Sequence, residues 1–268
     1  MLGIKTKTTL LKYLKEGVLR QHSSTLKPHL NNGNKKARLE FCLVVVARPR
    51  FDKDDNEIFS GKIGVFPLVT KVPAKRSSVN RPAGTLETKP ITSITREVNL
   101  RMMIDKVLPT LKEKWPQEYA HETIYIQQDN APCHVSIDNE EFRRAASEGG
   151  WDIRLTCQPP NSPDFNVLDL GFFAAIQSLQ QNEVTNSVDE LIQAVETAYD
   201  NFPTEISNNI FLSLQSCMIE TMKVKGCNNY ETPHMKKEML INRGILPSQL
   251  NCDRELFLET FEYLHNMD

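Results

Sequence analysis

Several common signals are missing from this sequence of 268 residues. It has no run of about 18 apolar residues, the length a helix needs to cross a bilayer. No charged-then-apolar leader precedes a small-residue cleavage site, so a soluble protein of the nucleus or cytoplasm is expected, with no membrane partner. Six cysteines, Cys42, Cys133, Cys157, Cys217, Cys227 and Cys252, are scattered without any Cys-x-x-Cys pair. That scatter argues against a zinc site or a disulfide framework and for reduced thiols. A strong charge of one sign is also missing. The formal net charge is −2, so bulk electrostatics alone announce no nucleic-acid binder. Neither an internal repeat nor a low-complexity tract occurs.

What is present is an asymmetry. Met1 to Arg38 carries nine Lys/Arg against one acid, Glu16, an excess of +8. A basic arm ahead of a net-acidic remainder suits a segment that touches phosphates, although a solvated leader has the same composition. Within the arm, TTLLKYLK (8–15) places Leu10, Leu11 and Leu14 on one helical face, and Gly17 stands where a carboxy-terminal cap belongs. A helix-turn-helix needs two helices. Residues 1–38 therefore read as the remnant of such a region, with Lys12 and Arg20 as candidate DNA contacts.

The remainder, in a chain with 40% apolar residues, is enough for one good core. RLEFCLVVVAR (38–48) is nearly unbroken apolar sequence and predicts a strand buried on both faces. A turn is expected over 49–60, a second strand at about 62–69, and loop over 72–90. That loop carries the candidate phosphate contacts Lys71, Lys75, Arg76 and Arg81. A helix is predicted over 95–115, capped by Thr95 and bent at Pro109. A strand at 122–128, a helix at about 139–148 and a strand at 151–157 follow. Helices are then expected near 167–181, 188–201, 205–223 and 253–265. Strands interleaved with helices predict an α/β fold, a mixed sheet with helices packed on it and helices added at the carboxy-terminal side. The division expected is 1–38, 39–183 for the core and 184–268 for the helical region.

Two acids stand where a metal could use them. Asp129 directly follows the strand IYIQQ, and strand carboxyl ends are where α/β sheets build sites. Asp169 opens a helix whose next turns, through Leu170, Phe172, Phe173 and Ile176, are apolar, which fixes its carboxylate to a rigid element. Oxygen ligands held in this way suit Mg²⁺. The plainer readings are a turn-forming Asp after a strand and a first-turn Asp that complements a helix dipole.

These residues also carry a resemblance. QQDNAPCH (127–134) followed by QPPNSPDFNVLDLGFFAAIQSLQ (158–180) resembles the second and third catalytic blocks of the mariner-like DNA transposases. The 39 residues between Asp129 and Asp169 match the plant and oomycete branch. ARPRFD (47–52), GKIGVFPLVTKVPAKRSSVNRPAGTLETKP (61–90), LQSCMIETMK and NNYETPHMKKE extend the likeness in order along the chain. The resemblance implies a ribonuclease-H-like core with Asp129 and Asp169 as catalytic ligands of Mg²⁺ or Mn²⁺. It makes Asn130 and His134 neighbours of the site and puts Asp164 in the loop that orients the helix of Asp169. It further implies transposon terminal-repeat DNA as partner, cut and rejoined by phosphoryl transfer.

One departure governs how the resemblance applies. The family's first catalytic Asp lies in an H-x-D-E-K-W-F block on the first strand of the sheet, and no such block occurs here. The sequence around Leu39 to Cys42 reads as the join left by an internal deletion that removed the first strands. Asp52, Asp54 and Asp55 in the turn, or Glu40 ahead of the valine-rich strand, are the available surrogates. Three readings follow: an active transposase with a surrogate acid, a transposase-derived protein without strand cleavage, and a non-catalytic protein that binds DNA or pairs with full-length transposase or with itself. The missing acid favours the second. It also predicts that the valine-rich strand moves in beside 122–128, or that the edge of that strand stays open.

Overall fold

A strand with no polar face needs apolar partners on both sides. In the computed structural model, which describes residues 42–79, 81–180 and 187–266, strand β1 (Cys42–Val46) has them. Side chains alternate along a strand. Cys42, Val44 and Val46 therefore meet one apolar cluster, built on Phe172, Ile176, Val195, Tyr199 and Phe202. Leu43, Val45 and Ala47 meet another, built on Ile63, Val107, Leu111, Ile124, Phe142 and Ile153. The basic arm, with Lys12 and Arg20, and Glu40 lie outside the described residues.

β1 pairs antiparallel with β4 (Lys62–Pro67), with Val44 opposite Val65. Between them the expected turn holds a short hairpin of β2 (Arg50–Phe51) and β3 (Glu57–Phe59). Asp52 builds it. Its Oδ1 accepts the N–H groups of Asp54 at 2.8 Å and Asn56 at 2.9 Å, and its Oδ2 accepts from Asn56 Nδ2 at 2.9 Å. The Asn56 bonds, with that from Asp54, hold the Asp52 carboxyl below the usual carboxylate range. Gly61 closes the connection to β4 at φ +75°, where an added Cβ would lie 2.1 Å from the Ala47 carbonyl oxygen.

Of residues 72–90, expected as loop, 74–85 lie outside the strands, whereas 72–73 and 86–90 belong to a hairpin. β5 (Val69–Pro73) pairs antiparallel with β6 (Leu86–Pro90), with Lys71 opposite Thr88. Pro73 and Pro90 fall at strand ends, where a missing N–H is tolerated.

Helix α1 (Arg96–Met102) starts at Thr95, whose hydroxyl accepts the Val98 N–H at 3.3 Å. A π-turn over Met103–Val107 leads into α2 (Leu108–Lys114). The wide turn sits immediately before Pro109, which has no N–H to give the helical ladder. β7 (Ile124–Gln128) and β8 (Ile153–Cys157) then pair in parallel, joined through α3 (Glu140–Ser147). Phe142 and Ala146 of α3 are buried against them.

The strands thus make four two-stranded sheets among the described residues, within a mixed α/β fold. β1 pairs with β4 and not with β7, and no described strand covers the second edge of β7, where Tyr125 is 61% exposed. After a π-turn at Leu168–Phe172 come α4 (Phe173–Gln180), α5 (Val188–Asp200), α6 (Thr204–Lys223), α7 (Lys237–Asn242) and α8 (Arg254–His265). α5 reaches β1 directly, since the Tyr199 hydroxyl donates to the Val45 carbonyl at 2.8 Å. No described helix is long and apolar enough to cross a membrane.

Candidate functional site

Asp129 is the first residue beyond β7, at the carboxyl end of the parallel pair. Its Oδ1 accepts the Ala131 N–H at 2.8 Å, which bends the chain sharply out of the strand. The same oxygen lies 2.8 Å from His134 Nε2. On its other side the imidazole meets Asn99, whose Nδ2 is 3.2 Å from His134 Nδ1 and donates to the Cys133 carbonyl at 3.2 Å. An amide NH₂ only donates, so Nδ1 accepts and Nε2 carries the hydrogen given to Asp129.

Asp169 sits in the first turn after Val167, exposed, with Asn166 Nδ2 donating to its Oδ2 at 3.0 Å. Asn166 Oδ1 also accepts the Leu168 N–H at 3.0 Å, so one amide holds both the turn and the carboxylate. Phe172 and Ile176, a turn further on, are buried and anchor the element. Leu170 and Phe173 are half-buried beside them.

Three bonds stitch the two regions together. Asn130 Nδ2 donates to the Gln158 carbonyl at 2.8 Å, Gln127 Nε2 to the Phe165 carbonyl at 2.7 Å, and the Gln158 N–H to the Gln128 carbonyl at 2.9 Å. The end of β7 is therefore tied to the proline-rich loop that delivers Asp169. Asp164 in that loop takes no part in these three bonds, and its carboxylate accepts from the Tyr230 hydroxyl. Burial, then the Asp164 bond, pushes the Tyr230 phenol up to about 12.

Sequence patterns did not disclose Asn99, Gln127, Asn166 or Tyr230 as parts of this arrangement. Asn99 had a signal: it is a polar side chain between Val98 and Leu100, and it is buried in an otherwise apolar stripe. Tyr230 had none, being 66 residues from its partner.

A two-ion site needs carboxylates clamping both ions. Among the described residues no three His, Cys, Asp or Glu side chains come together as a cation would require. The donor set therefore does not fit that arrangement. Of the surrogates, Asp52 is engaged by its own turn, and Asp54 and Asp55 are exposed in it.

The basic residues of the β5–β6 hairpin divide into two sets. Lys71 lies 3.5 Å from Asp189, Arg81 3.0 Å from Glu87 and Lys89 3.4 Å from Glu87. Lys75 and Arg76, between the strands, are exposed and form no ion pair among the described residues.

No protein-family profile matches the chain, and no solved structure does so. The transposable element Tc3 transposase of Caenorhabditis elegans is 25% identical to it over 121 residues. That stretch is 45% of this chain and 35% of the Tc3 protein, so the match spans about a third of that relative's length. The likeness is distant, and it relates the chain to a transposase.

Proposed function

We propose that this chain is a transposase-derived protein of the mariner-like group that retains two of the three metal-holding acids and no longer cuts DNA. In this reading β1, β4, β7, α3 and β8 are what remains of a ribonuclease-H-like core whose first strands are gone. The observation that carries it is the seam at the end of β7. Asp129 leaves a parallel strand there, bonded to His134, and Gln127 and Asn130 grip the loop leading to Asp169. This is how a metal-binding pair would be built, and no third acid joins it among the described residues. Metal-assisted displacement at phosphorus wants both ions clamped. A pair alone is expected to hold Mg²⁺ or Mn²⁺ weakly at most and to leave terminal-repeat DNA intact.

The test is a cleavage assay on terminal-repeat DNA with Mg²⁺ or Mn²⁺, run beside Asp129→Ala. Uncut DNA in both is the expected result. Cleavage that disappears with Asp129→Ala would overturn the inactive reading.

Lys75 and Arg76 favour a second role, binding DNA in the nucleus without cutting it, alone or paired with full-length transposase. Phosphate contacts release counterions, so each contributes a slope of about −0.9 in log affinity against log salt. Replacing both residues by Ala should flatten the measured slope by roughly two such contacts. An unchanged slope would assign the hairpin charges to solvent alone.

A further inference from the structure

The tip of the β5–β6 hairpin carries a second pattern. Lys75, Arg76, Ser77, Ser78 and Val79 follow one another there, all exposed, and Val79 is fully so. Seen from Ser78, two cations stand at the third and second positions before it and an apolar residue directly after it. Protein kinases with acidic clefts choose substrates by charge patterns of this kind. The two serines are not equivalent. Ser77 Oγ accepts the Ala83 N–H at 2.9 Å, whereas the Ser78 hydroxyl has no hydrogen bond among the described residues. Ser147 gives the contrast. Arg143 and Arg144 precede it, but it ends helix α3, gives its hydroxyl to the Arg144 carbonyl at 3.0 Å and is followed by Glu148.

A receptor for the phosphate stands opposite. Ser78 and Arg81 form an antiparallel bridge, the Ser78 N–H reaching the Arg81 carbonyl at 2.8 Å and the Arg81 N–H the Ser78 carbonyl at 3.2 Å. Residues opposed in this way hold their side chains on one face, with Cβ atoms about 4.5–5.5 Å apart. Arg81 Nη2 pairs with Glu87 at 3.0 Å, but its Nη1 is buried without a partner among the described residues. A buried donor left unpaired is costly, and an anion beside it removes that cost.

We propose that Ser78 is the acceptor for a serine/threonine kinase directed by basic residues, and that Arg81 then holds its phosphate. In the transfer Ser78 Oγ bonds to the γ-phosphorus of ATP, and the bond from that phosphorus to the β–γ bridging oxygen breaks. ADP leaves, and the hydroxyl proton passes to the kinase's base. To enter the kinase cleft the tip straightens, breaking the two Ser78–Arg81 backbone bonds and the Ser77–Ala83 bond. Openings at an exposed hairpin end belong to the low end of local stability. The phosphate brings about −1.5 to −2 charges to a tip that holds Lys75, Arg76 and Arg81. It would thereby oppose any DNA contact there, a consequence that rests on the second role given above, whereas the site itself does not.

Incubating the full chain with ATP and the catalytic subunit of cyclic-AMP-dependent protein kinase tests it, with the site located by peptide mass. Phosphate on Ser78 is expected, and none there from an acid-directed kinase. Ser77→Ala and Ser147→Ala should leave that incorporation intact, and Ser78→Ala should remove it. Replacing Lys75 and Arg76 together by Ala should slow it about tenfold or more. All these positions are exposed, so the melting curves of the variants should coincide with that of the unaltered chain. Free phosphoserine titrates near about 6. Held by Arg81, it should titrate lower in phosphorus-31 NMR, and Arg81→Gln should return it to the free value. No phosphate on Ser78 of the full chain, or phosphate on Ser77 in its place, overturns the proposal. So does a phosphoserine that titrates at the free value with Arg81 intact. None of these measurements uses DNA, so the salt-slope test of Lys75 and Arg76 stands or falls separately.

Discussion

The hydroxyl of Tyr230 donates to the carboxylate of Asp164, joining the connector after α6 to the loop that precedes Asp169. Gln127 holds the same loop through the neighbouring Phe165 carbonyl. The segment is therefore gripped between the end of β7 and the carboxy-terminal helices. A hydrogen bond to a charged group contributes about 1.5–3 kcal/mol at most, and less where water reaches it. Tyr230→Phe should accordingly cost about 1–2 kcal/mol in urea denaturation. Asp164→Asn, which keeps the shape and removes the charge, should cost less. No measurable shift in either would mean that water replaces the bond without loss.

Gly61 tolerates no side chain. Its positive φ and the 2.1 Å approach to the Ala47 oxygen leave no room for a Cβ, and its own carbonyl accepts the Ala47 N–H at 2.7 Å. A non-glycine residue in this region of backbone space costs about 1–3 kcal/mol before any clash. Gly61→Ala is expected to exceed that range and to lower the thermal midpoint. A neutral effect would show that the β1–β4 connection can be rebuilt.

Buried groups set the alkaline limit, Cys42 and Tyr199 foremost among them. Burial, with a smaller effect of Glu196, pushes the Cys42 thiol up to about 12, and burial raises the Tyr199 phenol well above its ordinary value. In the unfolded chain these groups ionise near about 8.5 and 10. The folded pKa values are the higher ones, so their contribution is complete below the unfolded values and is lost as pH rises toward the folded ones. Stability should fall from about pH 8.5 upward, at a rate approaching about 1.4 kcal/mol per pH unit for one group, and Cys42→Ala should remove part of the early fall, the buried Cys217 thiol, which burial also raises, contributing to the rest. Thiol labelling gives an independent check. Cys157, Cys227 and Cys252 are exposed and should react in the native protein, whereas Cys42 and Cys217 should react only after unfolding.

The second edge of β7 predicts a solubility defect. An uncovered strand edge recruits other strands, and a lysine on it blocks them. Tyr125→Lys is expected to reduce light scattering on concentration or heating. A monodisperse unaltered chain that unfolds in one cooperative step, unimproved by the lysine, would count against an incomplete sheet.

Much of this architecture was legible because it rests on periodicity and local chemistry. Three valines in a row foretold a strand covered twice, Thr95 announced its helix, and the apolar spacing of α5, α6 and α8 placed their ends within a residue or two of those observed. Asp129 at the tip of a strand followed from the same reasoning. The β5–β6 hairpin did not, because its proline and glycine residues look like loop and its strands are only five residues long. α7 was hidden for a related reason: it is six residues long and begins after Lys236 in a left-handed conformation. Tyr230 and Asp164 lie far apart in the chain, and a contact of that kind leaves no trace in any local window.

The hairpin of β1 and β4 works as a party wall with an occupied room on each side. Val44 and Val45 are neighbours in the chain, yet each furnishes a different room. Removing the chain from residue 188 onward would therefore not trim an appendage. It would strip Val195, Tyr199 and Phe202 from the cover over Cys42, Val44 and Val46 and leave Phe172 and Ile176 to shield them alone, and a two-stranded ribbon half wetted on one flank does not stand by itself.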